Sequence, residues 1–245
     1  MITSVKNDKV KAWKKLHKRK DRMKTKTFLI EGFHLLEEAL KSSWVIREVI
    51  VQRGVKLPEW SKQLPLAEVS EHVFSRISQT ETPQGIAAVA EMKETQSTEG
   101  SFLLLIDAVQ DPGNLGTIIR TADALGVSGV ILGLDTVDVY NEKVIRATQG
   151  SLFHIPIRQN DLNEEINRLQ HNDYKVWATA LKGAEQFDNA AVPEKTALLI
   201  GNEGAGVKKE LLEAADKIIN IPIYGKAESL NVSVAAGIIM YYIKG

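Results

Sequence analysis

Residues 102–106 read Phe-Leu-Leu-Leu-Ile, an apolar run with no polar side to turn toward solvent. As a strand it must be covered on both faces, which is the situation of a parallel sheet and not of a half-exposed antiparallel one. Comparable strands follow at 129–132, 175–179, 197–201 and 218–223, separated by segments with helical spacing at 115–125, 142–149, 162–171 and 207–215. Strand and helix alternating in this way predict an α/β domain over 101–245 with a mostly parallel sheet under helices. In such sheets ligands bind at the carboxyl ends of the strands, so the loops that follow the strands are where chemistry is to be sought.

A smaller α/β domain precedes it, over residues 1–95. Phe28-Leu29-Ile30 predicts a strand, and Phe33, Leu35, Leu36, Ala39 and Leu40 recur at helical spacing. A second strand is predicted at 45–51, then a loop containing Pro and Trp, then a helix opened by Ser70, and a last strand at 86–90. Residues 93–100 are polar and charged, and the linker is placed at 96–100.

Charge is zero overall but unevenly spread. Residues 1–26 hold eleven Lys and Arg against Asp8 and Asp21, an excess of +9 that the remainder of the chain cancels. A basic arm is the electrostatic footprint of a nucleic-acid binder, although a solvated helix has the same composition. Lys11, Lys14, Lys15, Lys18, Arg19, Lys20 and Arg22 are the candidate phosphate contacts, and Trp13 with Leu16 predicts an amphipathic helix here. The absence of cysteine excludes disulfide scaffolds, thiolate metal sites and Cys nucleophiles. The five histidines have no metal-ligand spacing, so no metal is expected. No apolar run reaches membrane-spanning length and the N-terminus lacks a signal-peptide core, so a soluble, cytoplasmic protein is expected.

Four stretches combine polar residues with strand ends. In 111–127, Leu115, Ile118, Ile119, Ala122 and Leu125 form a core-facing stripe. Taken singly, Asn114 there reads as an N-cap and Arg120 as a solvated charge. Lys143 and Arg146 in 138–151 are either surface charges or RNA phosphate contacts. The run Gly201-Asn202-Glu203-Gly204-Ala205-Gly206 has glycines in the order G-x-x-G-x-G, neither the dinucleotide fingerprint nor the phosphate-binding loop. A tight turn explains those glycines but not the acid between them. Finally, Pro222 and Gly225 end a strand, and Ser229 and Asn231 are good caps for a helix starting near Val232. That helix is so apolar that it must be buried nearly all round, by the core or by a second chain.

In order, 111–127, 198–207 and 221–233 resemble the three motifs of the SpoU-type (TrmH-like) RNA ribose methyltransferases of the SPOUT superfamily. The resemblance implies a deep trefoil knot near the C-terminus and transfer of the methyl of S-adenosylmethionine to a ribose 2′-oxygen. It implies active-site roles for Asn114, Arg120, Glu203, Ser229 and Asn231, and cofactor contacts from Thr179, Ala180, Leu181, Gly201, Ile221 and Leu230. It also implies a homodimer joined through the C-terminal helix. The block 138–151 departs from the family pattern, with Glu142 where Pro is frequent and Gln149 where small residues stand. Ile30-Glu31-Gly32 before a helix and Thr82-Pro83-Gln84-Gly85-Ile86 before a strand resemble the ribosomal-protein-like substrate-binding domain of these enzymes. Large-subunit (23S-type) ribosomal RNA is therefore expected as substrate ahead of transfer RNA. A non-catalytic ribosome assembly factor of the same fold, the other alternative, would be expected to lack Arg120, Glu203 or Asn231, and all three are present. A guanidinium stays protonated, so Arg120 is expected to bind phosphate and stabilise the alkoxide, not to act as a base.

Overall fold

A computed structural model of the chain describes all residues except 62, 94–97 and 190. Residues 96 and 97 of the linker placed at 96–100 fall outside the described residues. By contacts the chain forms two compact units, Met1–Glu94 with Tyr140–Phe153 and Thr95–Val139 with His154–Gly245.

The first unit opens with α1 (Asp8–Lys15) and α2 (Arg19–Thr25), followed by β1 (Thr27–Glu31), α3 (Phe33–Lys41), β2 (Ile46–Gln52), β3 (Leu66–Val69), α4 (Glu71–Ile77) and β4 (Ile86–Glu91). Its sheet order is β1-β4-β2-β3, with β4 antiparallel to both neighbours and β3 parallel to β2. Strand β3 was read as loop because it is a four-residue edge element, and only Ala67 and Val69 are buried. The basic arm is folded. Asn7 caps α1 by accepting from the Lys9 amide, and Lys14 and Lys15 in the last turn complement the helix dipole. Val10, Trp13 and Leu16 are buried against α4 and the sheet.

Arg22 departs from expectation. It is buried, and its Nη1 donates to the carbonyls of Leu16 at 2.8 Å and His17 at 2.9 Å. Those carbonyls lie where α1 ends, so Arg22 closes the α1–α2 corner and is not a phosphate contact.

The segment Tyr140–Phe153, read from sequence as part of the second domain, groups with the first unit. An aromatic cluster accounts for this: Phe28 lies 4.7 Å from Tyr140, and Trp44 5.3 Å from Phe153, between ring centroids.

The second unit contains β5 (Phe102–Ile106), α5 (Pro112–Ala124) and β6 (Gly129–Leu132); α6 (Glu142–Thr148) lies in the segment just described. Then come β7 (Ile157–Gln159), α7 (Leu162–His171), β8 (Lys175–Thr179), β9 (Glu185–Gln186), β10 (Thr196–Ile200), α8 (Lys209–Ala214), β11 (Lys217–Asn220) and α9 (Val232–Lys244). The sheet order is β7-β6-β5-β10-β8-β11-β9, and each pairing is parallel. All five residues of β5 and of β10 are buried, as the continuous apolar runs required.

Strands β7 and β9 carried no apolar signal. Arg158 of β7 instead makes a bidentate pair with the buried Glu165, which also accepts from Asn160. Burial works against the Glu165 charge, but these donors and Arg168 outweigh it and lower its pKa to about 2. Strand β11 stops at Asn220, two residues before Pro222. On α9, Ala236, Ile239, Met240 and Ile243 are buried, whereas Val234, Ile238 and Tyr241 remain exposed on this single chain.

Replacing Trp13 with Ala is expected to destabilise the protein by about 3–5 kcal/mol, the usual range for emptying an aromatic core position. Urea denaturation checks this, and an unchanged midpoint would mean that the arm does not pack.

Candidate active site

The site forms where the order of the parallel sheet reverses. Strands β5 and β10 are neighbours, with Ile106 in register with Ile200, so the loops leaving their carboxyl ends emerge side by side.

The loop after β10 is shaped by Gly201. A Cβ there would stand 2.1 Å from the Val207 nitrogen, so only glycine lets the chain fold back on itself. The amides of Asn202 and Gly206 each donate to the other's carbonyl at 3.0 Å. Asn202 locks the turn: its Oδ1 accepts from the Gly204 and Ala205 amides, and its Nδ2 donates to the Ala108 carbonyl at 2.8 Å. Lys208, where the loop enters α8, bridges toward Asp135 and donates its amide to buried Asp107 at the end of β5.

Glu203 sits at the tip of this loop, against the loop after β5. Its carboxylate accepts from the Gln110 amide at 3.2 Å, the Asp111 amide at 3.0 Å, Asn114 Nδ2 at 3.2 Å and Asn202 Nδ2 at 3.3 Å. Burial alone would raise its pKa; the hydrogen bonds from Asp111, its own amide, Gln110 and Asn114 win, and hold the carboxyl below the usual range. Glu203 is thus an anion whose lone pairs are already engaged by its own chain.

Asn114 is not the N-cap. Asp111 takes that position, accepting from the Asn114 amide at 2.8 Å, and Pro112 occupies the first helical turn, where its missing N–H costs nothing. The Asn114 side chain is thereby free to donate to Glu203 and to accept from Asn231 Nδ2 at 3.0 Å. Asn231 caps α9, its Oδ1 accepting from the Ser233 amide at 2.8 Å and the Ser233 hydroxyl at 2.6 Å. One directional chain of hydrogen bonds therefore runs from Ser233 through Asn231 and Asn114 to Glu203 and joins three loops.

Two of the expected catalytic residues lie outside that chain. Arg120 is exposed on α5, six residues and about 9 Å along the helix from Asn114, on a different face. Its guanidinium makes no hydrogen bond or ion pair with the described residues. Ser229 is exposed in the loop before α9. Conversely, Gln110, Asp111 and Asn202 were missed; the Asp-Pro pair ahead of an apolar stripe is a helix-start signal that identifies Asp111.

Of the residues expected to contact the cofactor, all but Leu230 lie at or just past the ends of three adjacent strands. Thr179 ends β8 and donates to the Leu199 carbonyl of β10, and the Ala180 amide donates to Ile219 of β11. Gly201 follows β10 and the half-buried Ile221 follows β11. Leu181, just past β8, and Leu230, in the segment before α9, expose 62% and 36% of their surface. Among the described residues, no cluster of His, Cys, Asp and Glu suited to a metal ion exists. Of the expected RNA contacts, Lys11, Lys14, Lys15, Lys18, Arg19, Lys20 and Lys143 are exposed, while Arg146 is half-buried. All of them lie in the first unit.

Residues 101–241 match the SpoU rRNA Methylase family, and residues 7–88 match the MRM3-like substrate binding domain. The 23S rRNA (guanosine(2553)-2′-O)-methyltransferase RlmP of Bacillus subtilis (strain 168) is 49% identical over 245 residues, covering 100% of this chain and 99% of its own. The AdoMet-bound rRNA methyltransferase from Sinorhizobium meliloti superposes with a TM-score of 0.89 at 34% identity, over 99% of this chain and 96% of that one. The SpoU methyltransferase AviRb of Streptomyces viridochromogenes, in complex with AdoMet, gives 0.89 at 28% identity, over 98% and 97%. With a family match over more than half of its length and a relative 49% identical from end to end, this chain belongs to the SpoU rRNA methylase family.

Proposed function

We propose that this protein transfers the methyl group of S-adenosylmethionine to one ribose 2′-oxygen of large-subunit ribosomal RNA, with residues 1–95 binding RNA and 101–245 carrying the chemistry. The observation that carries the reading is the hydrogen-bonded chain Glu203–Asn114–Asn231, which assembles the three family motifs into one place. The end-to-end match to an rRNA 2′-O-methyltransferase supports it and favours ribosomal over transfer RNA.

The residues fit the cofactor. Backbone groups at positions 180, 201 and 221 lie at three neighbouring strand ends, with the exposed leucines 181 and 230 as apolar walls, a setting suited to an adenine and a thioether chain. When bound, the cofactor supplies a methyl group on a positively charged sulfur. The protein must align the ribose hydroxyl, exclude water and let one proton leave. Glu203 is a positioning residue here, because its lone pairs are spent on the loops. Asn114 and Asn231 hold the ribose side of the site, and Ser229 lies in the exposed segment before α9. Arg120, whose guanidinium has no partner among the described residues, binds a substrate phosphate and stabilises the developing alkoxide, the proton passing to a phosphate oxygen or water.

The exposed apolar face of α9 supports a homodimer: covering Val234 and Ile238, 50% and 38% exposed, and Tyr241 gains for each aliphatic side chain about half of the roughly 1.5–3 kcal/mol that full burial is worth. A knotted C-terminus belongs to the same proposal, and the Asn231–Asn114 bond, which ties the segment after β11 to α5, supports it. The protein works in the cytoplasm, and no helix among the described residues is long and apolar enough to cross a membrane.

Mapping 2′-O-methyls on rRNA from cells with and without the protein tests the reading, beginning at the guanosine equivalent to that named for the Bacillus relative. Loss of one methyl in large-subunit rRNA is expected; an unchanged map of rRNA overturns the proposal. Sedimentation is expected to give a dimer, and Ile238→Arg a monomer. Glu203→Gln removes acceptor capacity from the loops and is expected to lower kcat about 10²-fold through misplacement. The sign with pH follows from the depressed carboxyl: its contribution is complete above the ordinary value of 4.5 and is lost as pH falls through the lower folded value. Cofactor affinity is therefore expected to hold from pH 8 to 5 and to fall only in more acid solution.

A further inference from the structure

The first unit contains a cleft of about 210 Å³ between the start of α3 and the loop before β4, lined among others by Glu31, His34, Thr80, Gln84 and Arg146. All of its lining residues belong to the first unit. Its two charged groups are held differently. The Glu31 carboxylate is fixed by the hydroxyls of Ser78 and Thr80 and by the Gln79 amide at 3.4 Å. Arg146 is half-buried, and its guanidinium makes no hydrogen bond or ion pair with a described residue, even though Nη1 is fully buried. A buried donor without a partner is costly, so its presence calls for a reason. Gln84 is oriented too, because its Oε1 accepts from the Phe33 amide at 2.9 Å and leaves its NH₂ available. Gly32 permits this approach; a Cβ there would meet Gln84 Oε1 at 3.2 Å, and φ is +102°.

We infer that this cleft receives one unstacked guanine of the RNA substrate, away from the nucleotide that is methylated. The inference rests on the RNA-methylating reading above. The volume is below the roughly 300 Å³ at which pockets for drug-sized ligands begin, so a single planar base fits while its sugar and phosphate stay outside. A phosphate is disfavoured because the fixed Glu31 carboxylate would repel it. A base edge with both signs is favoured: guanine offers O6 and N7 to the Arg146 guanidinium nitrogens other than the enclosed Nη1, and one N–H, from N1 or N2, to the acceptor site that Ser78, Gln79 and Thr80 leave on Glu31. Arg146 was read from sequence as a phosphate contact or a surface charge; here it reads a base.

The test uses the full-length protein with large-subunit rRNA from cells lacking it, probed by kethoxal at guanine N1/N2 and by dimethyl sulfate at N7. One guanine distinct from the methylated nucleotide is expected to become protected, and Arg146→Ala and Arg146→Lys are expected to lose that protection and raise KM for RNA about tenfold. Glu31→Gln is expected to lose the kethoxal protection. An RNA carrying 7-deazaguanine at the protected position repeats the KM effect with unaltered protein, so a folding defect in a variant cannot imitate it. Protection of no second guanine, protection of another base, or an unchanged KM overturns the inference. If the wild-type protein methylates RNA while these results fail, this inference alone is wrong; if it methylates no RNA, the proposed function is wrong.

Discussion

A single carboxylate organises the candidate active site. Glu203 gathers two backbone amides from the loop after β5, the side chain of Asn114 on α5 and that of Asn202 on its own loop. Each bond alone is worth about 1.5–3 kcal/mol or less when the acceptor is charged and partly exposed. Their joint effect is geometric: the loops can satisfy that anion only in one arrangement. Asn114, donating from Nδ2 to Glu203, presents its oxygen to Asn231 at the start of α9.

The sheet makes this meeting possible. Because β10 is inserted beside β5, two segments almost a hundred residues apart in sequence leave the sheet next to each other. Buried strands supply the rigidity, and glycine at position 201 supplies the tight return that brings Glu203 to the neighbouring loop. Rigidity comes from the strands, while the polar groups that meet at the candidate site are carried by loops.

Much of this was legible in the sequence. The all-apolar strands announced a parallel sheet, and the acid between the glycines of 201–206 was a residue that turn geometry did not explain. What escaped was decided by partners distant in sequence. Asn114 looks like an N-cap until Asp111 is seen taking that place, and Arg22 looks like one more surface cation until the carbonyls it covers are located. Strand β7 has no hydrophobic period because an Arg158–Glu165 pair holds it. The segment 140–153 joins the first unit through Tyr140 and Phe153, aromatic residues whose partners lie more than a hundred positions earlier. Arg120 shows the opposite limit: its place in a motif was readable, yet in one chain it stands apart from the other motif residues.

The most direct test of the account is a double-mutant cycle between the two ends of the hydrogen-bonded chain, using Glu203→Gln and Asn231→Ala and reading kcat/KM for methyl transfer to rRNA. Coupling through Asn114 predicts an interaction energy on the order of 0.5–3 kcal/mol, so that the double variant is little worse than the more damaged single one. Losses that simply multiply would show that the two residues act independently and would contradict it.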